Sequence, residues 1–117
     1  MIAIVVAAML AAQGQPVQNA CFAEAYRYHT PQRAAQICQN VGSNACFNTV
    51  HRMHTLQTSA DTCRNVHSDL CFADAFRYHS FQRAADMCRN MRSSDCYRQQ
   101  RQYYGIETAV RLCTVSP

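Results

Sequence analysis

Cys21, Cys38, Cys46, Cys63, Cys71, Cys88, Cys96 and Cys113 are separated by gaps that alternate strictly, 17 residues and then 8. This spacing limits the fold more than any other feature of the chain. It sets a 25-residue period met four times, in units 21–45, 46–70, 71–95 and 96–117. The match goes beyond cysteine: units one and three agree at 14 of 25 positions. A fixed period of this size marks stacked supersecondary units, none able to bury an apolar face alone.

Each unit reads as two short helices. Cys21, Phe22, Ala25 and Tyr28 recur on one helical face, as do Cys71, Phe72, Ala75 and Tyr78. Pro31, Ala34, Ala35 and Cys38, and then Phe81, Ala84, Ala85 and Cys88, form a second stripe with i, i+3, i+4, i+7 spacing. Between the stripes stand Thr30, Thr55, Ser80 and Gly105, residue types that cap helix starts, with Pro31 at a first helical position. Asn40, Asn65 and Asn90 follow the second stripe as helix stops, and Ser43 and Ser68 can cap the next helix. The alanine stripes let paired helices approach closely. Helices this short are marginal in water and need an external tie.

The cysteines supply it. In an antiparallel helical hairpin the start of the first helix lies beside the end of the second. That geometry pairs Cys21 with Cys38, Cys46 with Cys63, Cys71 with Cys88 and Cys96 with Cys113. Pairing across the shorter gaps would strand Cys21 and Cys113. Zinc sites favour closer spacings such as C-x2-C, which the chain lacks. The fold expected is all-α: four tandem disulfide-clamped helical hairpins, stacked as a short α-solenoid or compact bundle. In unit four, Gln100 and Arg101 replace inward or apolar positions, as suits the polar terminal unit of a stack.

Residues 1–14 resemble a secretory signal peptide: "MIAIVVAAMLAA" is an apolar run ending in small residues, without the usual basic n-region. The run is shorter than the ~20 residues that span a bilayer. Residues 15–117 are expected to form one repeat domain with no membrane span, secreted or periplasmic, in a compartment oxidising enough for disulfides.

Chemistry is sparse. No G-x-S-x-G, H-E-x-x-H or glycine-rich phosphate loop is present, and pairing all eight cysteines leaves no thiolate nucleophile. No enzyme activity, catalytic residue or cofactor is expected. His29, His54 and His79 recur at position nine, where the helix C-terminus gives an imidazole structural work. His51 and His54, three residues apart, are weak candidates for copper or zinc. All eleven basic residues are arginine, and the formal net charge is +4. Arg27, Arg52 and Arg77 recur at position seven, with Arg33 and Arg83 nearby, as the candidate binding surface. Glu24–Arg27, Asp74–Arg77, Asp61–Arg64 and Asp86–Arg89 have the spacing of solvated surface pairs. Tyr26, Tyr28, Phe76 and Tyr78 are expected in the packing between units. The function expected is a non-enzymatic scaffold that binds a macromolecule, either a protein or an anionic glycan, without specific nucleic-acid recognition. An inhibitor of a secreted hydrolase and a metal sequestrant are the alternatives.

Overall fold

The computed structural model describes residues 19–91 and 93–114. The expected signal segment, residues 1–14, lies outside them. Among the described residues the chain forms eight helices and one isolated antiparallel bridge, Met91 to Thr114. Unit one contributes α1 (Ala20–Tyr26) and α2 (Pro31–Ile37), and unit two α3 (Asn44–His51) and α4 (Leu56–Thr62). Unit three contributes α5 (Asp69–Phe76) and α6 (Phe81–Met87), and unit four α7 (Ser94–Arg101) and α8 (Ile106–Cys113). None of these helices is long and apolar enough to cross a membrane.

The helices begin where the sequence has capping residues. Thr30, Thr55 and Ser80 each accept a bond from the backbone N–H three residues on, as do Asn19, Ser43, Ser68 and Ser93 at the first helix of each unit. The first helix ends at position six or seven, which frees positions eight and nine from its face. Asn40, Asn65 and Asn90 adopt φ of 62°, 66° and 69°. This is the left-handed region that asparagine tolerates better than other side chains, and it turns the chain toward the next unit.

Disulfides join Cys21 to Cys38, Cys46 to Cys63, Cys71 to Cys88 and Cys96 to Cys113. Each ties the start of one helix to the end of its partner. No cysteine is free among the described residues, which fits an oxidising compartment. The cystines line the core together with Phe22, Phe47, Phe72 and Tyr97 from position two, and Ala25, Val50 and Ala75 from position five. The alanines at 34, 60, 84, 85 and 109 are fully buried, but Ala35 is exposed. The outward face of α2 has no preceding unit to cover it.

Consecutive hairpins stack in chain order, the first helix of each unit packing on both helices of the next. Backbone bonds run between equivalent residues: Asn65 N–H donates to Asn40 O at 2.7 Å and Asn90 N–H to Asn65 O at 2.8 Å. Helix starts are linked in the same sense. The Asn44 side-chain carbonyl accepts from Ala20 N–H, the Asp69 carboxylate accepts from Ser43 Oγ and Ala45 N–H, and Ser68 Oγ bonds Ser94 Oγ.

Arg64 and Arg89 do more than form the local pairs expected of them. Arg64 bonds Asp61 and reaches the carbonyls of Ile37 and Gln39 in the preceding unit. That contact holds the Asp61 carboxyl below the usual carboxylate range. Arg89 bonds Asp86 and the carbonyls of Thr62 and Arg64. Each arginine thus satisfies carbonyls left open at the end of its neighbour's second helix. Unit one, with no preceding neighbour, has Gln39 at this position. Replacing Arg89 with Ala is expected to cost about 1.5–3 kcal/mol, because hydrogen bonds from a charged donor are lost. Chemical denaturation of wild type and Arg89→Ala checks it, with exposed Arg98→Ala as the near-neutral control.

Candidate surface on the hairpin turns

The arginines singled out from the sequence lie at one edge of the stack, where the first helix of each unit turns into the second. Positions six to nine of the first three units read Tyr26-Arg27-Tyr28-His29, His51-Arg52-Met53-His54 and Phe76-Arg77-Tyr78-His79. Unit four ends the row with Arg101-Gln102-Tyr103-Tyr104. Neighbouring turns abut. The His54 ring sits 5.2 Å from that of Phe81, Arg83 lies 3.6 Å from Glu107, and a cleft of about 370 Å³ between units three and four is lined by Tyr78, His79, Arg101 and Glu107.

The aromatics expected between units face solvent instead. Tyr26, Tyr28, Phe76 and Tyr78 are 56%, 68%, 43% and 62% exposed. Tyr28 and Tyr78 have the spacing of the buried face, but the helices end before reaching them and the turn swings them outward. Phe76 and Tyr26 stack on Phe72 and Phe22, which seal the core beneath them. His29, His54 and His79 are exposed by the same turn rather than packed.

The arginines of this edge have few competing partners. Arg27 pairs with Glu24 at 3.1 Å and its guanidinium lies 5.6 Å over the Tyr28 ring. Arg77 lies 5.9 Å over Tyr78, and the carboxylate three residues before it faces elsewhere. Asp74 accepts from the Tyr97 hydroxyl at 2.5 Å and from Arg101 Nε at 2.9 Å, both in unit four. The expected Asp74–Arg77 pair is therefore replaced by a junction between units. Burial, with the Asp74 carboxylate second, pushes the Tyr97 phenol well above its ordinary range, so it stays a donor. Asp74 also raises the Arg101 guanidinium. At the first junction Glu24 approaches His51 Nε2 at 3.2 Å in the same way.

His51 is thereby committed. Its Nε2 faces Glu24 and its Nδ1 faces the His54 carbonyl at 3.1 Å, so neither nitrogen is turned toward the His54 ring. Among the described residues no three His, Cys, Asp or Glu side chains gather closely enough to hold a metal ion.

The junction network is the part that sequence reading missed. Its signal lies at a 50-residue spacing: acids at position four of units one and three, Glu24 and Asp74, oppose bases at position six of units two and four, His51 and Arg101. The chain matches no family model, no curated protein and no solved structure.

Proposed function

We propose that the protein is a non-enzymatic scaffold, exported to a secreted or periplasmic site, that binds a macromolecule along its hairpin-turn edge. One observation carries this reading: the large side chains of that edge are exposed where packing between units would have buried them. Exposed apolar and aromatic surface of this extent on a small stable chain commonly marks a site of interaction. Arginine and tyrosine are the side chains that contribute most where such surfaces bind.

The charge supports it. The turn segments 26–33, 51–58, 76–83 and 101–108 hold Arg27, Arg33, Arg52, Arg77, Arg83 and Arg101 against the single carboxylate of Glu107. The rest of the chain holds five arginines against six carboxylates. The excess positive charge is thus concentrated on one edge, which favours an anionic partner, protein or glycan.

The triple variant Arg27→Gln, Arg52→Gln, Arg77→Gln is expected to keep its helicity and its disulfides. It should lose most capture of macromolecules from the protein's own extracellular medium. Hydroxyl-radical footprinting of the captured wild-type complex should protect Tyr28, Met53 and Tyr78 and leave Leu112 reactive. Undiminished capture by the triple variant would refute the proposal.

A further inference from the structure

Units one and three carry the same exposed element. Arg27, Tyr28, His29, Gln32 and Arg33 recur as Arg77, Tyr78, His79, Gln82 and Arg83. All ten residues are exposed, and none fills the core. The internal comparison isolates what folding requires. Units two and four build the same hairpin with Met53, Gln57 and Thr58, or with Tyr103, Glu107 and Thr108, at equivalent places. The hairpin therefore does not need the Arg-Tyr-His and Gln-Arg pattern, yet it occurs unchanged twice. In both copies the first arginine lies over the ring of the following tyrosine, at 5.6 and 5.9 Å. Arg33 reaches Gln36, and Arg83 reaches Glu107 at 3.6 Å.

Resting on the scaffold reading above, we infer that these two elements are equivalent subsites for one linear anionic polysaccharide, carrying sulfate or uronate groups, which bridges them along the edge. Each guanidinium offers a planar fork that matches a sulfate or carboxylate. Each tyrosine face, 68% and 62% exposed, offers a flat apolar surface to the C–H face of a sugar ring. Two identical subsites separated by a two-unit translation suit a polymer that repeats its own chemistry, which the irregular surface of a protein partner does not. The excess of arginine on this edge supplies the charge complementarity. The four disulfides fit an oxidising setting, outside the compartments where nucleic acid is abundant. Occupying both subsites with one chain makes the second contact intramolecular and raises avidity without any new contact.

The test is titration calorimetry with heparin and polygalacturonate fragments of increasing length, on wild type and three variants. One variant carries Arg27→Gln and Tyr28→Ala, another Arg77→Gln and Tyr78→Ala, and the third all four changes. Circular dichroism confirms that each is folded. Short fragments of one of the two glycans should bind wild type with a stoichiometry of two and each single-site variant with a stoichiometry of one. Long fragments should bind wild type at least about tenfold tighter than either single-site variant, the gain expected of linked sites. The variant lacking both should lose binding. Glu107→Gln, which removes the one carboxylate beside the second subsite, should tighten it.

A stoichiometry of one, or long-chain affinity that falls equally for Arg98→Gln, would overturn the inference. So would equal affinity for DNA or polyglutamate of the same charge. If no glycan binds while the triple arginine variant still loses its captured partner, the glycan inference fails and the scaffold reading stands. If neither changes, both fail.

Discussion

Full reduction of the four disulfides is expected to abolish the far-ultraviolet helical signal at 25 °C, without denaturant. Each helix has seven or eight residues, well below the ~12–15 at which an isolated helix becomes even marginal. Each cystine closes a loop of 17 residues, a link that contributes about 3 kcal/mol in the chain-entropy view. Four such links are comparable to the whole stability of an ordinary domain, about 5–15 kcal/mol. The cystines are also core residues, fully or nearly buried and packed between the paired helices. Reduction would therefore remove cross-links and set eight polar thiols in an apolar interior. The measurement is circular dichroism during titration with a phosphine reductant, with thiol counting in parallel. Helicity that survives when all eight thiols are free would contradict it. Removing one inner link by Cys46→Ser with Cys63→Ser should lower stability by about 2–5 kcal/mol.

Replacing Phe72 with Ala is expected to cost about 3–5 kcal/mol, whereas Phe76→Ala, one helical turn away, should cost less than about 1 kcal/mol. Phe72 is 1% exposed and lies in the one continuous core, between the second and fourth units. Phe76 is 43% exposed and stacks on Phe72 with ring centroids 5.6 Å apart. Truncating the first opens a cavity bounded by cystines that cannot collapse far. Truncating the second uncovers one ring face. Phe47, 1% exposed in unit two, should behave like Phe72. Equal losses at Phe72 and Phe76 in urea unfolding would show that the edge aromatics are structural, and would remove the main support for a binding surface there.

Much of the architecture is legible in the sequence for a simple reason. A cysteine that recurs with alternating gaps can satisfy itself within a hairpin, and caps such as Thr30, Thr55 and Ser80 act through bonds only three residues long. These are local rules. The error over Tyr28 and Tyr78 has an equally local cause: a helical wheel carries its face past the point where the helix stops, and the turn reverses which way those rings point. Asp74 illustrates the other limit. Its partners, Tyr97 and Arg101, are 23 and 27 residues away. A closer arginine at the usual spacing is the default until the units are seen stacked. Arg64 and Arg89 are also read as local pairs until the carbonyls of the preceding unit come within reach. Their absence from unit one, where Gln39 stands instead, is the mark in the sequence that they serve a neighbour. The candidate arginines were legible as a periodic row, but the tyrosines that give the row its chemistry were not.

The carboxylate-to-base contacts at the first and third junctions have no counterpart at the middle one, where Thr49 and Phe76 hold the matching positions. The stack is therefore built of two kinds of hairpin that alternate. The smallest block that can be duplicated or deleted without orphaning a half-buried acid is a pair. Growth of such a chain by tandem copying is quantised in steps of two, and an odd number of hairpins would leave one charge facing the wrong neighbour.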